Sequence, residues 1–293
     1  MRAFVIGNVA LDEAVTVADL PAFGASIHGK AGQIDLGGKG ANQAIMLARS
    51  GLPCCFCAAV GEDSRADEIR SRLVAEPLET DLVRIAGVAS DFSIILRNPS
   101  GDNAIITTNA AASGLTPEAA CASLAGAVPG DLLVLQGNLS TETTAAALRK
   151  AWEMGMQTTV NPSPLRPFFG DLWPLVDIAF VNECEAATLG GTDTLLAAGV
   201  PQVVLTLGSK GARLVTPTGD VLVLAQPCEA VDTTGAGDCF MATALASAAL
   251  RGVALDPRAL RHAAAAAAIT VSRPGTGAAF PTKAELAEIL KQP

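Results

Sequence analysis

An alternation of two kinds of segment constrains this chain most. Short apolar runs at 4–6, 55–60, 132–135, 158–160, 178–181 and 203–207 are separated by helical patterns at 41–50, 65–75, 143–154 and 183–189. A run that is apolar at every position reads as a strand buried on both faces. Such strands joined through helices predict a mainly parallel sheet with helices on both sides. The working residues of such sheets gather at the carboxyl ends of the strands. With 50% of its 293 residues hydrophobic and 17% charged, the chain has the material for one large α/β domain spanning 1–293.

Two stretches break the alternation, at 13–35 and 90–108. In the second, 93–96 and 104–108 flank the turn-forming Asn98-Pro-Ser-Gly-Asp102. Both read as β elements outside the main sheet that build a lid over the strand ends, the alternative being an edge hairpin. The net charge of −9, from 20 basic and 29 acidic residues, argues against a nucleic-acid partner. A phosphate site in such a field must rely on local backbone donors, a metal ion and a few cations. The N-terminal run Met1–Asn8 is too short for a leader, and no window approaches twenty apolar residues, so a cytoplasmic chain without a membrane partner is expected. Among seven cysteines, Cys54, Cys55 and Cys57 lack zinc-site spacing and read as buried free thiols.

Four motifs carry chemistry. In Asp232-Thr-Thr-Gly-Ala-Gly-Asp238, three small residues open an apolar helix. Their backbone N–H groups and the helix dipole can cradle developing negative charge, and the Asp238 carboxylate can take a proton from an alcohol beside them. Phosphoryl transfer to a hydroxyl needs that pairing. A plain helix cap explains the segment equally well on its own. Gly37-Gly-Lys-Gly-Ala-Asn42 offers flexible backbone, a cation and a two-sided amide suited to a polyol, or only a turn. Thr206-Leu-Gly-Ser-Lys-Gly211 follows a strand and suits either a nucleotide-hugging turn or a hairpin. Asn182-Glu-Cys-Glu185 reads as a site for a magnesium-bound water or as a helix cap. Neither a Walker A ending nor a Gly-x-Gly-x-x-Gly after the first strand is present, which removes P-loop and NAD-linked readings.

In this order and separation the motifs resemble the ribokinase-like (PfkB) carbohydrate kinase family over essentially the whole chain. That resemblance implies a three-layer α/β/α sandwich with a mainly parallel sheet and a small β-sheet lid. It implies transfer of the ATP γ-phosphate to a primary alcohol with Mg2+. By similarity, Asp238 is the base, and the Gly235, Ala236 and Gly237 amides form the anion hole. Asp12, Gly38, Lys39 and Asn42 hold the sugar, Asn182, Thr206, Gly208 and Gly211 line the ATP site, and Glu185 serves magnesium through water. Members often carry potassium, and the matching positions are Asp232, Thr234, Thr270, Arg273 and Gly275, with Ala279 where a serine ligand would stand.

Two departures bear on the acceptor. Ala10 stands where ribokinase has an asparagine, and Asn138 where it turns a glutamate toward its sugar. An amide in place of a carboxylate gains donors and loses charge, so ribose specificity is not expected to carry over unchanged. A nucleoside kinase of the same fold is the alternative, disfavoured by 4% aromatic content and no tyrosine; an inactive sugar- or nucleotide-binding regulator is another. Arg97 reads as a ligand for a second phosphate or as an edge arginine. His28 reads as a surface or interface residue, His262 as non-catalytic, and the lid strands as a surface for a homodimer.

Overall fold

The computed structural model describes residues 1–98 and 103–293, so most of the expected Asn98–Asp102 turn lies outside the described residues. Its strands are β1 (Ala3–Ile6), β2 (Ala10–Thr16), β3 (Lys30–Gly37), β4 (Cys54–Val60), β5 (Glu79–Arg84), β6 (Phe92–Arg97) and β7 (Asn103–Thr107), then β8 (Leu132–Gln136), β9 (Gln157–Asn161), β10 (Ile178–Asn182), β11 (Gln202–Thr206), β12 (Ala212–Thr216) and β13 (Gly219–Val223). Nine form one sheet in the order β13-β12-β11-β10-β9-β8-β1-β4-β5. Neighbours from β11 to β5 pair in parallel, and β12 and β13 add an antiparallel hairpin at one edge.

Side chains alternate across a strand, which sends the apolar runs into two cores. Ala3, Val5, Leu132 and Val134 pack on one face with the helices Lys39–Arg49, Ser64–Val74, Ala236–Arg251, Pro257–Val271 and Lys283–Lys291. Phe4, Ile6, Leu133 and Leu135 pack on the other, chiefly with Thr141–Glu153 and shorter helices. The result is the expected three-layer sandwich. Truncating a central leucine such as Leu133, which is fully buried, to alanine costs about 2–5 kcal/mol. The alanine run lies within Pro257–Val271, with Ala263 to Ala266 buried.

A second sheet has the order β3-β2-β6-β7, with β2 antiparallel to β3, parallel to β6, and β6 antiparallel to β7. It is a separate sheet and not an edge hairpin of the first. No described helix is long and apolar enough to cross a membrane. The seven cysteines are free thiols; Cys54 and Cys57 are buried as expected, whereas Cys55 is only partly so. His262 lies buried between Ser247 Oγ and the Gln292 carbonyl, and His28 is exposed.

Candidate active site

Carboxyl ends of the large sheet deliver polar side chains to one edge: Gln136 ends β8, Asn161 β9, Asn182 β10 and Thr206 β11. Helices Lys39–Arg49 and Ala236–Arg251 begin beside them. Lys39, Asn161, Asn182, Glu185, Thr206 and Asp238 therefore line one cleft.

Asp238, in the first turn of its helix, is 5% exposed. Its Oδ1 accepts from Gln43 Nε2 at 2.8 Å and its Oδ2 from Asn42 Nδ2 at 3.0 Å, and Lys39 Nζ stands 4.0 Å from Oδ1. These partners all come from the opening turns of Lys39–Arg49. Gln136 Nε2 donates to Gln43 Oε1 at 2.8 Å and fixes which way that amide faces. The helix can start this close to β1 because residue 40 is glycine; a Cβ there would lie 2.7 Å from the Asn8 carbonyl oxygen. Gln43 and Gln136 are fully buried and were not singled out by sequence, although a polar residue at the end of an apolar strand was the available signal.

Gly235 caps the second helix with φ 75°, a left-handed conformation that glycine adopts without penalty. Phe280 closes on it so that a Cβ would meet the ring at 2.8 Å. The first-turn N–H groups that follow have no intrahelical acceptor. Ala236 N–H leans on the Thr233 carbonyl at 3.3 Å, a long bond that a charged oxygen can outcompete. The cap is Gly235 and Asp238 lies inside the first turn, so the plain-cap reading of Asp238 does not hold.

On the small sheet, Asp12 is 7% exposed and its Oδ2 accepts from Thr276 Oγ1 at 3.3 Å. Burial pushes its carboxyl above the ordinary carboxylate range; the Asp35 and Asp238 charges add to that, and hydrogen bonds from Ser93 and Thr276 oppose it. Asp35, paired opposite Asp12, accepts from Thr276 N–H at 3.2 Å. Asn42 Oδ1 and Asn138 Oδ1 are buried without a protein partner. Such an oxygen costs about 1–3 kcal/mol unless a donor reaches it, so both are suited to accept from a bound hydroxyl.

Asn182 and Glu185 close a capping box on the helix Glu183–Thr188, with Asn182 N–H donating to Glu185 Oε2 at 3.0 Å and Glu185 N–H to Asn182 Oδ1 at 2.8 Å. The capping reading of that segment therefore holds, and both residues still line the cleft. Thr206–Gly211 turns into the antiparallel β12, as the hairpin reading has it; Gly208 has φ 57° at the turn. Gly211 packs against the Val223 carbonyl on the far side of that turn. Gly38 is the residue before the Lys39 helix. Among the described residues, no group of three or more His, Cys, Asp or Glu side chains is placed to hold a metal ion. A magnesium ion here fits only as one carried largely by nucleotide phosphates and water, with Glu185 nearby.

The side chains at the potassium positions make contacts within the chain. Asp232 Oδ1 accepts from Thr234 N–H at 3.0 Å and Thr234 Oγ1 at 2.7 Å; Oδ2 accepts from Gly275 N–H at 3.0 Å and pairs with Arg97 Nη2 at 2.7 Å. The Thr270 carbonyl takes the Arg273 N–H at 3.2 Å, and the Arg273 side chain pairs with Glu285. Ala279 is fully buried and brings no side-chain oxygen. Arg97 reaches from the small sheet to the segment that opens the Ala236–Arg251 helix.

Over residues 2–283 the chain matches the pfkB family carbohydrate kinase. It is 31% identical to the ribokinase of Bacillus subtilis (strain 168), covering 98% of each chain. It is 30% identical over 87% of its length to the bifunctional ribokinase/ribose-5-phosphate isomerase A of Fructilactobacillus sanfranciscensis, of which it spans 50%. The fold matches Arabidopsis thaliana ribokinase, solved with ribose and ATP, at a TM-score of 0.84 and 25% identity over 100% of this chain and 99% of that one. A buried carboxylate at the mouth of a glycine-opened helix, on the sheet edge these proteins share, agrees with the likeness: the chain belongs to the pfkB family of carbohydrate kinases and is an ATP-dependent sugar kinase of the ribokinase type.

Proposed function

We propose that this chain phosphorylates a primary hydroxyl of a pentose-like sugar, with Asp238 as the base. The observation that carries this reading is the aim of Asp238 into the cleft by Asn42 and Gln43, beside the first turn of its helix. The sugar hydroxyl gives its proton to Asp238 as its oxygen bonds to the γ-phosphorus, and the bond from that phosphorus to the ADP oxygen breaks. The Gly235, Ala236 and Gly237 amides receive the charge on the transferring group. Magnesium bound with ATP would neutralise part of the phosphate charge, and Glu185 is suited to hold one of its waters.

Asp12, Gly38, Lys39, Asn42 and Asn138 hold the sugar, and the partnerless oxygens of Asn42 and Asn138 support this by asking for hydroxyl donors. Asn182, Thr206, Gly208 and Gly211 border the nucleotide. The small sheet, residues 10–37 and 92–107, acts as the lid that excludes water within a single domain. Ile34 and Ile106 on one face of the sheet are exposed, as is Phe23 in the adjoining loop, which favours a homodimer through the lid. A cytoplasmic setting, where ATP is at hand, suits this chemistry.

The test is ADP release over pentoses, hexoses, sugar phosphates and nucleosides. A pentose is expected to give the highest kcat/KM; a nucleoside in that place would transfer the assignment to the other branch of the fold. In Asp238→Asn, kcat is expected to fall by about 10²–10⁴ with ATP affinity nearly unchanged. Near-normal turnover would remove Asp238 from the mechanism.

A further inference from the structure

The anion-hole segment of this chain carries a built-in cation. Asp232 starts that segment, its side chain is 6% exposed, and a carboxylate buried to that degree needs a positive partner. Related kinases are expected to meet such a carboxylate with a monovalent metal ion, which must find oxygen lone pairs to bind. A carboxylate offers about four lone-pair sites. Here they face Thr234 N–H, Thr234 Oγ1, Gly275 N–H and Arg97 Nη2, so the carboxylate is saturated. Ala279 supplies no side-chain oxygen. The side-chain oxygens that a potassium ion would need here are thus taken or missing, which leaves it only backbone carbonyls.

We propose that the Arg97 guanidinium takes the place of the monovalent cation. It supplies the positive charge behind the Gly235–Gly237 cradle, and turnover of this enzyme does not depend on potassium. Among the described residues, Asp232 is the one acid within ion-pair distance of Arg97. Arg97 ends strand β6 of the lid, and Asp232 begins the loop into the Ala236 helix. The charge that organises the cradle therefore arrives with the lid, where a dissolved ion would arrive from solvent. Arg97 is a positioning residue in this scheme: it touches the loop and not the substrate. The inference rests on reading Gly235–Gly237 as the anion cradle.

The test compares ADP release, with the best sugar acceptor, in potassium, sodium and tetramethylammonium chloride at fixed ionic strength. The wild-type enzyme is expected to hold kcat within about twofold across the three salts. Arg97→Ala is expected to lose at least about tenfold in kcat in tetramethylammonium, with sugar KM changing less, and to recover on adding potassium or millimolar guanidinium. Rescue by a small cation is an outcome that a purely structural role would not produce. Arg97→Lys, which keeps the charge, serves if the alanine variant does not fold, and is expected to stay insensitive to potassium. A wild-type kcat raised tenfold or more by potassium would overturn the inference while leaving the kinase assignment intact, as would a folded Arg97→Ala with undiminished turnover in tetramethylammonium or a loss that no cation restores. Absence of turnover in every salt would instead sink the kinase reading itself.

Discussion

Asn42 and Gln43 show what one residue of offset does at the start of a helix. Both reach Asp238, one through each carboxylate oxygen, and Gln43 is itself held by Gln136. Replacing Gln43 by methionine keeps the volume and removes the donor, so the carboxylate keeps its place but loses half of its aim. In Gln43→Met, kcat is expected to drop by about 10-fold to 10²-fold with ATP KM nearly unchanged, measured by steady-state ADP release. An equal change in both constants for ATP would point to a disturbed nucleotide site instead. Asp238 and the glycines before it were legible as a local pattern. Gln43 and Gln136 were not, because their roles depend on side chains meeting across 93 residues of chain.

At the scale of elements, the strands read most easily were those with two apolar faces: β1, β4, β8, β9, β10 and β11 all lie within a residue or two of expectation. β5 escaped, since Glu79–Arg84 is a charged edge strand whose Leu82 and Val83 alone carry an apolar signal. β13 escaped for a like reason, being exposed along all but Val223. The C-terminal helix Lys283–Lys291 is fixed by a capping box in which Glu285 bonds Thr282, and by the Arg273–Glu285 pair. Its Arg273 partner, with the Thr282 hydrogen bonds, lowers the Glu285 carboxyl from an ordinary 4.5 to about 2. A carboxylate whose folded value is depressed adds stability above its unfolded value, and that stability fades as pH falls toward the folded one. Glu285→Gln is accordingly expected to melt slightly lower than wild type at pH 6, by less than about 1 kcal/mol for a pair this open to solvent. The difference should vanish between pH 4.5 and about 2, followed by thermal melts across that range. A gap that persists at the acid end would assign the effect to packing.

For the whole molecule, the exposed apolar face of the small sheet is the feature that sequence could announce only as an invitation to pair. Ile34 and Ile106, in one row across the sheet, stand in solvent in the single chain, as does Phe23 of the loop between β2 and β3. Light scattering is expected to find a dimer, and Ile34→Lys/Ile106→Lys to shift it toward monomer by two charges placed in an apolar contact. A wild-type monomer at micromolar concentration would remove the lid interface. The small sheet is also joined to the body at four places, through residues 7–9, 38, 85–91 and 108–109. Mechanically it is a tabletop on four short legs, one of them a single glycine. A plate so mounted can rock about its legs but cannot slide or spin. Lengthening one leg would tilt it, and Asp12 and Arg97, which ride on the same plate, would move out of register together.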